Sequence, residues 1–285
     1  MIGHSSASRQ RALLFLLVSI WPADCVLQGK GWSKHLSKRY PTKAAGVPVL
    51  LTVVDKHFAS TVLPVFITSV LALPGHLEER LTVVATSKEA NAFCQSVHAD
   101  CFLDDRTFSH EHVNFTGSKA YHEGLKQPLL KKSVKRTRVT LQKTWGKVHF
   151  AELTVALGYD VLVLDCDLVL LRPFLTDLQS HAADVLYSQD VPGAPNVGCI
   201  LYSANARTLR LLQIWQEQRV DPETVDQYVF REAVKLAQAE MPDITISSIK
   251  NAPDHLTIKK AMLDKPQIID RHPTTCLPQC GNVVF

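Results

Sequence analysis

A short apolar segment that ends in two closely spaced acids places the strongest constraint on how this 285-residue chain folds. Val161 to Leu164 form an uninterrupted apolar run that leads directly into Asp165 and Asp167. Such a run predicts a strand buried on both faces, as in parallel sheets covered by helices. Open α/β sheets bind ligands at the carboxyl ends of their strands. The two acids are therefore predicted to lie at a binding site.

The other predicted elements extend this strand into an α/β fold. Residues 47–54 form a second apolar run rich in β-branched side chains, and strand and helix signals alternate after it. Gly158 is placed to end a helix in the left-handed conformation. We expect one α/β domain with a mostly parallel central sheet flanked by helices. Helices are predicted at 61–73, 88–97, 149–157, 206–218 and 225–237, and strands at 81–86, 100–103, 161–164, 184–187, 199–202 and 244–249.

The amino-terminal residues predict targeting to the secretory pathway. Arg9 and Arg11 precede an apolar stretch from Ala12 to Trp21, which is followed by Pro22. A membrane-spanning helix needs about 20 apolar residues, so this stretch favours a cleaved signal peptide over an anchor. A buried amino-terminal helix is the alternative. We expect a signal peptide or short signal anchor at 1–25, a stem at 26–46 and the folded domain at 47–285.

The cysteines are consistent with an oxidising compartment. Cys166 and Cys199 lie in apolar runs and are expected to be small buried side chains. Asn114 begins a glycosylation sequon, which agrees with a lumenal location. We expect the Golgi or endoplasmic reticulum lumen, or secretion. Spacing alone leaves the disulfide pairing open for two pairs of sequence neighbours, Cys94 with Cys101 and Cys276 with Cys280.

Charge is distributed unevenly, although the formal net charge is only +4. Residues 124–151 contain eight Lys and Arg residues and no acid. This segment is either a solvated helix face or an electropositive wall beside an anionic substrate such as a pyrophosphate. Nucleic acid is not expected as a partner, because the chain is nearly neutral and has no recognition motif.

The Asp-x-Asp pair itself indicates metal binding. Carboxylate oxygens suit Mg²⁺ or Mn²⁺, which fill their remaining positions with substrate phosphate oxygens and water. Two carboxylates at the end of a buried strand are costly unless a cation neutralises them. The alternative is a turn at the strand end that Asp165 or Asp167 caps.

The segment from Lys147 to Pro173 resembles the nucleotide-diphospho-sugar transferase domain of GT-A glycosyltransferases, close to glycosyltransferase family 77. It combines a helix, Gly-Tyr, an apolar strand, Asp-x-Asp and Leu-Arg-Pro. The resemblance covers about 47–272 and implies a Rossmann-related, GT-A-like fold. The motifs that follow in the same order are Asp184-Val185, Gln189-Asp190, Asn196-Val197-Gly198, Asn205 to Thr208, Trp215 and Asp226-Gln227.

The resemblance also implies roles for individual residues. It implies that Asp165 and Asp167 hold Mn²⁺ or Mg²⁺ against the donor diphosphate and that His272, or alternatively His255, completes the metal site. The implied donor and substrate contacts are Thr52, Asp55, Lys147, Asn196 and Gly198. The implied reaction-centre residues are Asp190, Asp226 and Gln227.

Plainer roles stay open for three of these residues. Asp226 is placed to favour the positive end of a helix, Lys147 to be an ordinary lysine at a helix start, and Asn196 to form a turn before a strand. Two leucines, Leu170 and Leu171, stand where the family often has a tryptophan, so the acceptor side is expected to differ.

The function that the resemblance implies is transfer of a pentose or hexose, with retention, from a nucleotide diphosphate sugar to a hydroxyl of a glycan or glycoprotein. A membrane would be a partner only through an uncleaved amino-terminal segment. One alternative is a haloacid-dehalogenase-type phosphatase that uses Asp165 as its nucleophile. Another is a sugar- or nucleotide-binding protein of the same fold without turnover, suggested by the short stretch after His272.

Overall fold

The computed structural model describes residues 23–41, 47–104, 138–171, 173–191, 194–219, 226–249 and 259–260. The helices are α1 (Ala23–Arg39), α2 (Lys56–Thr61), α3 (Leu63–Leu71), α4 (Lys88–Val97), α5 (Arg138–Ala156), α6 (Leu175–Gln179), α7 (Ala206–Glu217) and α8 (Asp226–Glu240), with a 3₁₀ helix at Leu77–Arg80. The strands are β1 (Val49–Val54), β2 (Leu81–Ala85), β3 (Cys101–Leu103), β4 (Val161–Leu164), β5 (Leu168–Val169), β6 (Val185–Val191), β7 (Ala194–Tyr202), β8 (Ile246–Ile249) and β9 (Lys259–Lys260).

Seven strands form one mostly parallel sheet in the order β3-β2-β1-β4-β7-β6-β8. Strands β3, β2, β1 and β4 pair in parallel, and β6 pairs in parallel with β8. Only β7 runs in the opposite direction, since it pairs antiparallel with both β4 and β6. The predicted α/β fold with helices around a mostly parallel sheet is confirmed. Strands β5 and β9 form a separate antiparallel pair.

Side-chain alternation along β1 divides the interior into two layers. Val49, Leu51 and Val53 pack into a cluster with side chains of α1, α5, α7 and α8. Leu50 and Val54 face the other side of the sheet, where they pack with residues of α2, α3 and α4. Every residue of β1 is buried, as expected for a strand that helices cover on both faces.

The amino-terminal helix α1 belongs to this core. The side chains of Trp32 and Leu36 are fully buried, and the Trp32 indole donates a hydrogen bond to Thr154 Oγ1 at 3.0 Å. His35 and Arg39 contact the Asp100 carboxylate at 3.0 and 3.5 Å. The folded unit therefore starts before residue 47, where the sequence places the domain boundary.

Local chemistry explains where two helices differ from the predicted ones. The predicted helix at 61–73 corresponds to α3, which begins at Leu63 with Pro64, a residue without an N–H, in its first turn. The separate helix α2, which the Asp55 side chain caps, precedes it. The predicted helix at 149–157 begins earlier, at Arg138. Its end is confirmed: Gly158 has a φ of 81°, the left-handed conformation that favours glycine.

Cysteine chemistry divides as the sequence pattern suggests. Cys94 in α4 and Cys101 in β3 form a disulfide. Cys166 and Cys199 are buried and are not part of this disulfide, and burial raises the pKa of Cys199 to about 12. Across the described ranges, no helix has both the length and the apolar composition that crossing a membrane requires.

Candidate active site at the carboxyl edge of the sheet

Two acids follow neighbouring strands at the centre of the sheet. Asp55 follows β1 and Asp165 follows β4, and these strands are parallel neighbours in register from Val49 with Val161 to Leu51 with Val163. The chain moves to one side of β1 through β2 and β3, then returns to its other side at β4. Open α/β sheets bind ligands at such a switch point, outside the carboxyl ends of the strands.

The Asp-x-Asp segment is a tight turn at this edge. The backbone N–H of Leu168 donates to the Asp165 carbonyl at 3.2 Å, which reverses the chain into β5. Cys166 is buried between two half-buried acids, and the Asp165 side chain is 39% exposed. Both predicted metal ligands therefore lie where the buried strand meets solvent.

Strand β7 brings Gly198 against Asp165, because β4 and β7 pair antiparallel through Leu164 and Cys199. The Asp165 N–H donates to the Gly198 carbonyl at 2.7 Å. The Gly198 N–H donates to Asn196 Oδ1, also at 2.7 Å. A Cβ at position 198 would lie 2.7 Å from Asp165 Oδ2 and 2.9 Å from Asn196 Oδ1. The group that closely approaches Gly198 in this structure is thus the Asp165 carboxylate of the protein itself.

Lys147 reaches the same point from α5. Its ammonium donates to Asp165 Oδ1 at 2.8 Å and to the Val197 carbonyl at 3.3 Å. Asp226 Oδ2 lies 3.5 Å away on the other side. Burial alone would lower the pKa of Lys147, but the Asp165 and Asp226 carboxylates outweigh it and raise this pKa above its ordinary value. Lys147 is therefore a charged lysine between two acids, and its side chain is only 7% exposed.

Asp226 begins α8, and its side chain is 2% exposed. Its backbone carbonyl accepts a hydrogen bond from the Trp215 indole at 3.1 Å. The negative carboxylate is also favoured by the positive end of the helix that it starts. The structure thus brings Asp226 into the site, behind Lys147 rather than at the surface. Gln227 follows it and is half-buried.

Two residues predicted to contact the nucleotide lie deeper than expected. Thr52 is fully buried within β1, and its hydroxyl has no hydrogen-bond partner in the described part of the chain. Asp55 lies at the carboxyl edge, where its Oδ1 accepts the Phe58 N–H at 2.8 Å. Asp55 therefore caps α2.

The other predicted site residues are placed only in part. Asp190 lies in β6, and only its backbone is described. His272 and His255 lie outside the described residues. Asn205, one of the motif residues, caps α7 by accepting the Thr208 N–H at 2.9 Å, which is a structural role.

A different group could hold an ion at the opposite edge of the sheet. His76, Glu78 and Glu79 bring ligand atoms within 4.8 Å of one another, and no other such group of three or more occurs among the described residues. It lies on a turn before β2, where the strands begin. It is therefore remote from Asp165.

Comparison with known proteins agrees with this geometry. The family model described as nucleotide-diphospho-sugar transferase matches residues 76–268, about two thirds of the chain, including the Asp-x-Asp turn, Gly198 and Asp226. The chain belongs to the nucleotide-diphospho-sugar transferase family. No curated protein matches it significantly. The family supports a glycosyltransferase-type activity, which involves a sugar donor and an acceptor.

The sequence does not predict the contact between Lys147 and Asp226, which are 79 residues apart. A partial signal was present. Lys147 shares a helix face with Phe150 and Ala151, three and four residues on, which are both buried, so the lysine interrupts an apolar face. A lysine in that position needs a buried acid, but periodicity cannot say which one.

Proposed function

We propose that this protein is a metal-dependent glycosyltransferase of the secretory pathway. It transfers a pentose or hexose, with retention, from a nucleotide diphosphate sugar to a hydroxyl of a glycan or glycoprotein. The observation that carries the proposal is the Asp165 carboxylate, partly exposed beside Gly198 at the switch point of the sheet. The family match supports the sugar-transfer chemistry.

The carboxylate oxygens at the Asp-x-Asp turn suit a hard divalent cation as ligands. Asp165 and Asp167 supply carboxylate oxygens, the ligands that Mg²⁺ and Mn²⁺ prefer. The absence of a side chain at Gly198 leaves the space that Asp165 Oδ2 occupies. We assign Asp165 and Asp167 as ligands, with His272 as the third candidate. A cation bound there neutralises the charge that develops on the departing diphosphate.

The chain's own residues would then position the reactants. The bond between the anomeric carbon and the diphosphate oxygen breaks, its electron pair leaves with the diphosphate, and the acceptor oxygen bonds to the same face of that carbon. The acceptor proton leaves with the departing diphosphate or water. We assign Asn196 to the sugar or acceptor and Asp190 to the reaction centre. Strand β7, which carries Asn196, pairs with β4 on one side and with β6, which carries Asp190, on the other.

A donor screen tests this function. The full chain is incubated with a panel of nucleotide diphosphate sugars, with and without Mn²⁺, and release of the nucleoside diphosphate is measured. We expect Mn²⁺-dependent release from at least one donor, and loss of release in Asp165→Asn. Release of phosphate from a generic phosphomonoester would instead favour the phosphatase. Donor binding without release across the panel would favour a binding protein.

The cellular location is proposed on separate grounds. The Cys94–Cys101 disulfide suits an oxidising compartment such as the Golgi or endoplasmic reticulum lumen. Glycosylation at Asn114 would report the same environment. Expression in a eukaryotic cell should give a band that an endoglycosidase shifts in the wild type but not in Asn114→Gln. An unshifted wild-type band together with a cytosolic signal would contradict the location.

A further inference from the structure

Lys147 is shared between two carboxylates with very different access to solvent. The Asp165 side chain is 39% exposed, whereas that of Asp226 is 2% exposed. The ammonium lies between them, 2.8 Å from Asp165 Oδ1 and 3.5 Å from Asp226 Oδ2. The three residues come from α5, the end of β4 and the start of α8. They form a layered cluster: an outer acid, a buried cation and an inner acid.

The contacts of the Lys147 ammonium are made with groups of its own chain. An ammonium has three N–H donors. It donates hydrogen bonds to Asp165 Oδ1 at 2.8 Å and to the Val197 carbonyl at 3.3 Å. It also forms an ion pair with Asp226 Oδ2 at 3.5 Å, a buried oxygen without a hydrogen-bond partner among the described residues. The Lys147 side chain is only 7% exposed, so a substrate phosphate outside the cluster has little access to the ammonium in this arrangement. Lys147 therefore acts on its own chain rather than as a phosphate ligand.

Asp226 lies on the inner side of Lys147. A carboxylate so deeply buried cannot contact a sugar or an acceptor unless the cluster opens. Its influence on the outer site is therefore exerted through Lys147. Without it, the full charge of the ammonium would oppose a divalent cation at Asp165. When Asp226 is present, its negative charge balances the positive charge of Lys147. The three side chains together then remain negative, and the Lys147 ammonium still holds Asp165 Oδ1 in place.

We propose that Lys147 and Asp226 are positioning residues. The Lys147 ammonium fixes the Asp165 carboxylate. The buried Asp226 carboxylate offsets the charge of the ammonium, so that Asp165 still attracts a divalent cation. This inference rests on the proposed function, because it assigns Asp165 to the metal. It changes the sequence-based roles of two residues. Lys147 becomes a support for Asp165 instead of a phosphate ligand, and Asp226 becomes a counter-charge to Lys147 instead of a reaction-centre acid.

Mn²⁺ binding to the full chain, measured without donor by electron paramagnetic resonance, tests the inference. Asp226→Asn keeps the shape of the side chain and removes its charge, so we expect about tenfold weaker Mn²⁺ binding from the uncompensated ammonium. Asp243→Asn is the matched control. It makes the same charge change at an acid that is 75% exposed and pairs with Arg207, and binding should stay within about twofold.

A double variant separates an indirect role from a direct one. Lys147→Met with Asp226→Asn removes both buried charges, a replacement that proteins often tolerate. Mn²⁺ binding should return to within about threefold of the wild type, since the opposing charge is gone. Saturating Mn²⁺ should also restore the kcat of Asp226→Asn, with the KM for donor unchanged. If the single variant fails to fold, the double variant alone decides the matter by the same threshold.

Several outcomes would overturn the inference. Unchanged Mn²⁺ binding in Asp226→Asn would show that the inner acid does not tune the site. A double variant that binds as weakly as the single one would show that the loss in Asp226→Asn does not come from the uncompensated charge of Lys147. Asp165→Asn provides the separate check on the proposed function. If it binds Mn²⁺ as the wild type does, or the wild type binds none, the metal assignment itself fails and this inference falls with it.

Discussion

Gly198 leaves no room for a side chain beside Asp165, because a Cβ there would lie 2.7 Å from the carboxylate Oδ2. The two residues are also joined by a hydrogen bond from the Asp165 N–H to the Gly198 carbonyl. The glycine is required by the position of the carboxylate and not by an unusual backbone angle, since Gly198 is not among the residues with positive φ. The geometry of the site is thus built into the pairing of β4 with β7.

Gly198→Ala should therefore impair the site more than the fold. The added methyl group must displace the Asp165 carboxylate, and overpacking of this kind costs about 1–3 kcal/mol. We expect at least about tenfold weaker Mn²⁺ binding, which corresponds to about 1.4 kcal/mol. Calorimetric titration and thermal unfolding on the same sample would check both effects.

Gly31→Ala is the matched control for that variant. Gly31 lies in α1, and a Cβ there would have its nearest neighbour at 3.8 Å, an ordinary contact. Replacing a glycine by alanine within a helix raises the free energy of unfolding by about 0.5–1 kcal/mol. Wild-type metal binding in Gly198→Ala, or an equal loss in Gly31→Ala, would contradict the account.

Truncation of Trp32 should destabilise the whole domain. Its ring is fully buried and makes edge contacts with Phe102 and Phe150, with centroids 5.0 and 4.9 Å away. Trp32→Ala should lower the free energy of unfolding by about 3–5 kcal/mol in chemical denaturation. Lys34→Ala on the exposed side of α1 should change it by less than about 0.5 kcal/mol. Equal stability of the two variants would show that α1 is dispensable.

Glu152 gives the stability a dependence on pH. Burial raises the pKa of Glu152 from 4.5 to about 7. Because the folded state holds this proton more tightly, the stabilisation is fully present below pH 4.5 and is lost as pH rises through about 7. Between pH 4.5 and about 7, the free energy of unfolding of the wild type should therefore fall by about 3 kcal/mol relative to that of Glu152→Gln.

Denaturant unfolding at pH 4.5, 6 and 8 measures this difference. Glu232→Gln is the control, because Glu232 is an exposed acid that pairs with Lys235 at 2.8 Å. The control should follow the wild type at every pH. A constant gap between the wild type and Glu152→Gln would mean that the carboxylate is not buried in solution.

The Cys94–Cys101 disulfide should stabilise the fold without taking part in turnover. It closes a short loop, with a sequence separation of 7 residues. A loop of this size removes about 2–3 kcal/mol of unfolded-state entropy. The Cys94→Ser/Cys101→Ser variant should unfold at a lower temperature and should no longer respond to a reductant. A wild type whose unfolding is insensitive to reductant would argue against the bond.

The sequence predicts the sheet well because apolar runs are decisive for buried strands. Val49–Val54 and Val161–Leu164 are short, continuous apolar runs rich in β-branched residues, a pattern that favours a strand in a sheet covered on both faces. Asp165 follows the second run, so its place at the carboxyl edge is also predictable. Gly198 could be proposed from the resemblance, but its contact with Asp165 depends on the antiparallel register of β7, which no local pattern specifies.

Other features depend on long-range packing and were not predictable. The amino-terminal helix was expected to be a stem, yet Trp32 and Leu36 fill a space that α5 and β3 leave open. Lys147 could be a surface lysine or a ligand by sequence, and only the fold shows the two acids on either side of it. In each instance the decisive partner is distant in the chain.

The most direct test of the central claim is calorimetric titration of nucleoside diphosphates into the full chain with and without Mn²⁺. In the wild type, at least one nucleoside diphosphate should bind, and its affinity should rise at least about tenfold when Mn²⁺ is present. In Asp165→Asn and Asp167→Asn, that gain should disappear while thermal unfolding still shows a folded protein. Equal affinities with and without Mn²⁺ in the wild type, or an undiminished gain in both variants, would contradict the account.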